Sequence, residues 1–229
     1  MALFHRAVEL DPEFAPAYGV AAWCYSIRLG FRWSAEPAEK AELMRLARAA
    51  ARLGQGDALT LTYAGWAFAY VLKDLQTGRA LVDQALALNP NLAAAWASSG
   101  WISLWLGDPT VAMEHLGRAM RLSPLDIAAN MMRNAMAHAC FYLDRYDEAL
   151  SWANMLLRDQ PDFHPALRVA AASAAFAGLD ELARQMAARL HAVDPELKVS
   201  GLNSTLGPYQ KPEFPSKYAE GLRKAGLPE

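Results

Sequence analysis

Residues 93–124, AAAWASSGWISLWLGDPTVAMEHLGRAMRLSP, contain two helical patterns that are separated by a short Gly-Asp-Pro break. In the first half, apolar or small residues recur every four positions from Trp96 to Leu104, and in the second half they recur every three or four. This spacing places each set on one face of a helix. Asp108 before Pro109 is a start signal for the second helix, because an Asp oxygen accepts unpaired amide protons and proline suits the first helical position. The stretch therefore predicts a helical hairpin.

The proline that closes this hairpin recurs along the chain. Pro90 to Pro124 spans 34 residues, Pro124 to Pro161 spans 37, and Pro161 to Pro195 spans 34 again. Similar endings, such as QALALNP and RAMRLSP, precede these prolines and Pro12, and a further copy, RAAARLGQ, lacks the proline. A helix–turn–helix unit with this period resembles the tetratricopeptide (TPR) repeat. The residues that match the TPR pattern in the best copy are Trp96, Gly100, Ala112, Leu116, Ala119 and Pro124.

The TPR resemblance implies an all-α fold, a right-handed α-solenoid of antiparallel helix hairpins with a C-terminal capping helix. We expect the array to cover residues 1–195. Residues 196–229 are expected to hold an extended connector, at 197–213, and the capping helix, at about Pro215 to Ala225. The first repeat supplies only the second helix of a hairpin, so we expect the chain to have been cut from a longer one. Within the array we predict a partial repeat at 1–12 and hairpins at about 15–55, 58–90, 93–124, 127–161 and 164–195. In the second hairpin we predict the second helix around Pro37–Leu53, and in the fifth we predict a first helix that ends at about Leu143.

The composition favours a soluble protein without catalytic or nucleic-acid chemistry. A hydrophobic fraction of 54% supplies a core, and a net charge of −2 gives no reason to expect nucleic acid or an anionic membrane as partner. The uncharged run Asn89–Gly107 contains three serines and is predicted to be a buried hairpin helix, not a membrane span. Cys24 and Cys140 are far apart in sequence, and we expect reduced thiols in a cytoplasmic protein. No HExxH pair or GxxxxGK[ST] loop is present, so we predict no enzyme activity, metal or cofactor.

Aromatic residues recur at one position when the repeats are superimposed on their closing prolines. In TPR arrays this part of the first helix faces the concave groove, so the resemblance implies an aromatic ladder along a binding surface. The alternative, which the sequence leaves open, is that these rings pack between neighbouring hairpins, because aromatic side chains are common in both cores and binding sites. The candidate partner-binding residues are Trp23, Ile27, Trp66, Tyr70, Trp101, Trp105, Met131 and His138.

The same superposition indicates which ligand to expect. TPR domains that bind a C-terminal carboxylate use basic and Asn side chains in the groove, whereas this chain has Gly19, Thr62, Ala97 and Met131 at the corresponding positions, and only Arg168 is basic. An apolar or aromatic peptide or an amphipathic helix fits this groove better. The partner is then a protein or peptide, with a second copy of the chain as one alternative. The chain's own tail is another candidate occupant, through Tyr209, Phe214 and Tyr218.

One loop is longer than the repeat requires. GFRWSAEPAEK, in the second hairpin, carries Phe31 and Trp33. Insertions in repeat arrays form loops on one face, and such loops often contact partners. These two rings are predicted either to contact a partner or to fold back over the hairpin.

A narrower resemblance concerns the whole protein. The run AWASSGWISLWLGDPTVAMEHLGRAMRLSPLD and the ending YAEGLRKAGLPE resemble the C-terminal repeat region of bacterial class III adenylate or guanylate cyclases, which also follows winged-helix DNA-binding domains. In that family the catalytic domain is a separate unit before the repeats. The resemblance therefore implies a regulatory or scaffolding role in a signalling protein, or self-association that brings attached domains together, and not cyclase activity of this chain.

Overall fold

The computed structural model describes residues 2–30, 36–126, 129–204 and 206–229 of the chain. These residues form twelve α-helices and one 3₁₀-helix and contain no β-strand, so the predicted all-α fold class is confirmed. The loop residues Phe31 and Trp33, for which we left two roles open, lie outside the described residues. The chain divides into two compact units, Met1–Ile102 and Ser103–Glu229, and the boundary lies inside one helix.

The first unit consists of consecutive helices that pack on their neighbours in the chain. α2 packs against both α3 and α4, α3 packs against α4, and α4 packs against α5. A first helix therefore contacts its own partner in the hairpin and the first helix of the next hairpin, as stacked hairpins do. The helices are α1 (Ala2–Leu10), α2 (Ala15–Gly30), α3 (Pro37–Leu53), α4 (Ala58–Tyr70), α5 (Leu75–Leu88) and α6 (Ala93–Leu106), the last of which crosses the boundary.

The second unit continues the same pattern and adds a terminal helix. α8 packs against α7 and α9, and α10 packs against α8, α9 and α11. α12 packs against α10 and contacts the short 3₁₀-helix that precedes it in the chain. The elements are α7 (Pro109–Leu122), α8 (Ala129–Tyr142), α9 (Tyr146–Asp159), α10 (His164–Phe176), α11 (Asp180–Val193), a 3₁₀-helix (Val199–Ser204) and α12 (Glu213–Lys224).

Local sequence signals explain where several helices begin. Asp57 precedes α4 and its side chain accepts a hydrogen bond from the Leu59 amide at 3.0 Å, which satisfies one of the free amides of the first turn. Asp108 also stands before its helix, with Pro109 at the first helical position. Its side chain, however, makes no capping hydrogen bond, so that part of our prediction was wrong. Proline already removes one of the amides that a cap would satisfy, and it fixes the backbone angle for the start of α7.

A close approach of α4 and α5 requires two glycines. A Cβ atom on Gly65 would lie 2.8 Å from the carbonyl oxygen of Gly78, and one on Gly78 would lie 2.7 Å from the Cβ of Ala69. Glycine inside a helix costs about 1 kcal/mol relative to alanine, and the close packing of the two backbones offsets that cost. The two helices are thus held closer than side chains of ordinary size would allow.

The segment after α11 contains more structure than its sequence predicts. We expected residues 197–213 to be an extended connector, but Val199–Ser204 form a 3₁₀-helix. α12 begins at Glu213, two residues before the predicted start, and ends at Lys224. None of the helices in the described ranges combines the length and the apolar character that crossing a bilayer requires.

Candidate functional site

The ladder residues of the first unit differ in their exposure. Trp66 and Trp101 are buried, at 7% and 8% exposed, whereas the Trp23 side chain is 36% exposed. Ile27 and Tyr70 are half-buried. The burial of Trp66 and Trp101 favours the alternative that these rings pack inside the array, while Trp23 remains available at the surface.

Trp23 belongs to a small aromatic surface on α2 and α4. Its ring lies 5.5 Å from the ring of Tyr63, with an angle of 30° between the planes. Leu59 stands one helical turn before Tyr63 and is 37% exposed. We call Trp23, Leu59 and Tyr63 the aromatic surface of the first unit. Leu59 and Tyr63 were missed in the sequence because α4 is apolar around its whole circumference, so that periodicity does not distinguish its outer face.

At the end of α4, Tyr70 joins this helix to the end of α2. Its hydroxyl donates a hydrogen bond to the carbonyl oxygen of Gly30 at 3.3 Å, and its ring lies 5.2 Å from that of Trp66. A Cβ on Gly30 would overlap the Tyr70 ring, so glycine is needed there. Tyr70 therefore fixes the position of the first helices that carry the aromatic surface.

The remaining candidate residues lie in the second unit, where the chain's own C-terminal segment covers Trp105 and His138. The Trp105 side chain is 2% exposed, and a Cβ on Gly207 would run into its indole ring. The backbone amide of Gln210 donates to the Trp105 carbonyl at 2.8 Å. Met131, on α8, is half-buried. Trp105 is thus a contact of residues 207–210 in this structure.

His138 lies under α12. Its side chain is 5% exposed, and its ring stacks on Tyr218 at 5.2 Å with an interplanar angle of 25°. Burial, with a smaller contribution from the positive charge of Arg168, lowers the pKa of His138 to about 3. The imidazole is therefore neutral at physiological pH and serves as a packing surface for α12.

The aromatic residues of the tail form one continuous cluster with α8. Phe214 stacks on Tyr142 with ring centroids 4.3 Å apart and planes within 9°, and Tyr209 meets the same ring edge-on at 5.3 Å. Tyr218 is fully buried and contacts Phe141 edge-on at 5.4 Å. Burial raises the pKa of Tyr142, Tyr209 and Tyr218, so these phenols stay protonated. We call the face of α8 and α10 under these residues the tail-covered surface.

Lys217 of α12 enters a pocket of aromatic rings at the end of α8. Its Nζ atom lies 5.2 Å from the ring centroid of Phe141, 5.4 Å from that of Tyr146 and 5.9 Å from that of Phe176. The same atom donates to the Phe141 carbonyl at 3.2 Å and to the Asp144 carboxylate at 2.7 Å. We call Phe141, Asp144, Tyr146 and Phe176 the lysine cage.

The cage is assembled by the tight turn between α8 and α9. Asp144 has a φ of 60°, in the left-handed region that Asp tolerates better than most residues, and it accepts a hydrogen bond from the Tyr146 hydroxyl. The hydrogen bond from Lys217, followed by that from Tyr146, lowers the pKa of Asp144. Tyr146 also stacks on Phe176 at 5.3 Å. The sequence gives no sign of the cage, because its members come from three helices and a turn.

Other reactive groups form no site in the described part of the chain. Cys24 and Cys140 are free thiols, and burial raises the pKa of Cys140 to about 11, which leaves it a poor nucleophile. Among the described residues there is no group of three or more His, Cys, Asp or Glu side chains placed to hold a metal ion. A pocket of about 440 Å³ lies between the 3₁₀-helix and the outer side of α12. Its one charged residue, Arg223, already pairs with Glu229 at 2.5 Å.

Comparison with known proteins identifies the type of fold. No protein-family model matches the chain, and a search of curated proteins finds no match. Solved structures do match. A chain of the APC/C hetero-tetramer Cut9–Hcn1 is 19% identical with a TM-score of 0.73, over 88% of the present chain and 38% of that chain. The present chain thus spans less than half of that protein.

Two other solved structures match over most of their own length. YrrB, a TPR protein with an unusual peptide-binding site, is 20% identical with a TM-score of 0.55, over 84% of the present chain and 93% of its own. PilF of Pseudomonas aeruginosa is 17% identical with a TM-score of 0.61, over 85% and 82% respectively. At these identities the likeness shows that the chain has a TPR-type fold, as its repeats predict.

Proposed function

We propose that the chain is a non-catalytic protein-interaction module that binds an apolar or aromatic segment through the aromatic surface of its first unit. The observation that carries this proposal is the exposed ring of Trp23, which lies 5.5 Å from the half-buried ring of Tyr63 on the next first helix. Contiguous apolar patches on a protein surface often mark interaction sites, and Trp and Tyr are enriched in binding hot spots.

The packing of α12 on the tail-covered surface suggests that the partner of the aromatic surface is also a helix. It lies on the first helices of the last two hairpins, and there an amphipathic helix, α12, buries Tyr218 and Leu222 completely. The aromatic surface lies on first helices of the same repeat type, α2 and α4. We therefore expect a partner helix whose aromatic residues are spaced three or four positions apart, the helix-in-groove mode of recognition.

The other candidate residues have different parts in this proposal. Trp66 and Trp101 are buried inside the array, Tyr70 joins α4 to the end of α2, and Ile27 is half-buried on α2. Trp105, Met131 and His138 belong to the second unit, where Trp105 and His138 contact the tail. Gly19 and Thr62 give the groove positions of α2 and α4 no basic side chain, so the proposed partner is not recognised through a terminal carboxylate.

The test uses peptides selected by the intact protein from a displayed library of random helical sequences. The selected peptides should bind the double variant Trp23→Ala, Tyr63→Ala at least about 10-fold more weakly than the wild type, as expected for hot-spot residues. Leu88→Ala is the matched control, because Leu88 is also exposed, at 48%, but lies on the second helix α5. Equal binding by the double variant and the wild type would overturn the proposal, provided that helicity is unchanged.

Self-association is a second candidate function, and α1 favours it. Its Leu3 and Leu10 side chains are 83% and 70% exposed, and no residue of α1 is buried. An exposed apolar helix face is a common contact between copies of one chain. Light scattering that shows a concentration-dependent dimer, lost in Leu3→Glu, Leu10→Glu, would support this candidate, and a monomer at high concentration would exclude it.

The wider setting that we propose is a cytoplasmic bacterial signalling protein of the adenylate or guanylate cyclase type, in which these repeats regulate or scaffold other domains. The likeness of residues 95–126 and 218–229 to such repeat regions supports this setting, and the free thiols suit a reducing compartment. The purified chain should form no cyclic nucleotide from ATP or GTP. Turnover by the purified chain would contradict the non-catalytic assignment.

A further inference from the structure

α12 is seated on the second unit as a peptide ligand is seated on a receptor. Its contact residues Phe214, Lys217, Tyr218, Gly221 and Leu222 are spaced i, i+3, i+4, i+7 and i+8, which places them on one face of the helix. Phe214 stacks on Tyr142, Tyr218 stacks on His138, and Leu222 is fully buried. The pattern of side chains on α12 therefore indicates which side chains the tail-covered surface can bind.

Two of these positions are selective. At Gly221, a Cβ would lie 2.9 Å from the Cβ of Ala172 and 3.0 Å from a ring carbon of Phe176, so the surface favours a residue without a side chain there. At Lys217, the ammonium group loses part of its hydration and receives in exchange three aromatic rings, one carboxylate and the carbonyl of Phe141 near the negative end of α8. These are contacts that a cation makes and a neutral side chain of equal length does not.

We propose that the tail-covered surface is a helix-binding site that residues 206–224 close in cis, and that its external ligand is a helix of another protein with the same pattern of aromatic, lysine, aromatic and small residues. The lysine cage recognises the ammonium group of that ligand. The chain's own Lys217 competes for the same cage. This site shares no residue with the aromatic surface of the first unit, so each proposal can fail without the other.

The covalent connection of α12 to the rest of the chain explains why α12, and not a free peptide, occupies the site. A segment joined to the same chain competes at an effective concentration on the order of millimolar, so a free peptide at micromolar concentration displaces little of it. Weakening only the lysine contact of the cis segment should open the site to a peptide that keeps its lysine. The quantity to measure is thus the difference in binding between a peptide that keeps this lysine and a peptide that carries Gln in its place.

The experiment uses the full chain and a fluorescein-labelled peptide with the sequence of residues 206–229. In Lys217→Gln the amides of α12 should exchange hydrogen about 10-fold faster than in the wild type, and the peptide should bind at least about 10-fold more tightly than it binds the wild type. The peptide that itself carries Gln in place of Lys217 should show no such gain. Lys224→Gln is the matched control, because Lys224 lies on the same helix and over the same Phe176 ring, at 4.5 Å, but its ion pair is with Glu220 and not with Asp144.

Three results would overturn the proposal. They are equal peptide binding by Lys217→Gln and the wild type, an equal gain in Lys224→Gln, and equal binding of the Lys and Gln peptides. Protection of the amides in α4 and α5 shows whether the first unit of each variant stays folded. If Lys217→Gln unfolds the second unit, Lys217→Met replaces it, because Met keeps an unbranched side chain against the rings of the cage and lacks the ammonium group. Lys217→Met must then give the same effects, and their absence would also overturn the proposal.

Discussion

Tyr218 should contribute more to the stability of the second unit than any other residue of α12. Its side chain is fully buried, stacked on His138 and edge-on to Phe141. Replacing a buried aromatic side chain by alanine costs about 3 to 5 kcal/mol, the sum of the lost burial and the cavity that remains. We expect Tyr218→Ala to lower the free energy of unfolding of the second unit by an amount in this range.

Removal of the Tyr218 hydroxyl alone should have the opposite effect on stability. It is buried, and no residue in the described part of the chain forms a hydrogen bond with it. A buried polar atom without a partner costs about 1 to 3 kcal/mol of desolvation. Tyr218→Phe keeps the ring contacts and removes that atom, so it should be neutral or stabilising.

Both changes in the free energy of unfolding can be measured by urea unfolding followed by far-UV circular dichroism. Hydrogen exchange of α8, α10 and α12 assigns the transition to the second unit. Repeat proteins unfold in parts, so the assignment by exchange is needed to convert a midpoint into a free energy. A loss below about 1 kcal/mol in Tyr218→Ala would refute the stabilising role of the ring. A loss in Tyr218→Phe as large as that in Tyr218→Ala would place the energy in the hydroxyl and refute the reasoning from burial.

Three further predictions follow from other contacts. Gly65→Ala should cost about 1 to 3 kcal/mol of stability in thermal or urea unfolding, because its new Cβ meets backbone, whereas Gly56→Ala, with open space around it, should change stability by less than about 0.5 kcal/mol. Because the folded-state pKa of His138 is lowered to about 3, its contribution to stability is complete above the unfolded-state value of roughly 6.5 and declines by about 1.4 kcal/mol per pH unit as the pH falls from there towards 3. Unfolding measured from pH 8 to pH 4 should show this slope, and His138→Gln should remove it. With a thiol reagent at pH 7.5, the half-buried Cys24 should react in the folded protein and the buried Cys140 only after unfolding, and equal rates would contradict the burial of Cys140.

Single helix bounds could be predicted from the sequence because each helical hairpin is a local structure. The second hairpin was predicted to contain a helix at Pro37–Leu53, and the structure has those bounds. The first helix of the fifth hairpin was predicted to end near Leu143, and it ends at Tyr142. A proline before a helix and a closing proline after it act on the neighbouring residues alone, so the sequence reports them directly.

The candidate site was harder to predict because exposure depends on residues far away in sequence. Trp23 and Trp66 occupy equivalent positions in their repeats, yet the first is 36% exposed and the second 7%. Repeat position gives the direction of a side chain on its helix, and the packing around that helix decides whether the side chain is covered. Tyr63 shows the reverse case, since it follows no repeated aromatic pattern and still pairs with Trp23.

The C-terminal segment was predicted only in part for a similar reason. The tail was named as a candidate occupant of the groove from its aromatic residues, but its specific contacts join residues such as Lys217 and Phe141, which are 76 positions apart. The 3₁₀-helix was missed because Gly201 and neighbouring turn-forming residues give no helical period. Such contacts require a three-dimensional structure.

The separation of these contacts along the chain determines when they form during synthesis. Hairpins such as that of α8 and α9 close over short loops and can form as soon as their residues leave the ribosome. The hydrogen bond from Lys211 to the Gly107 carbonyl spans 104 positions and cannot form until Lys211 has left the ribosome. On a nascent chain, therefore, α12 does not cover the face of α8 and α10 until its own residues emerge. During this interval a chaperone or another protein can bind that face.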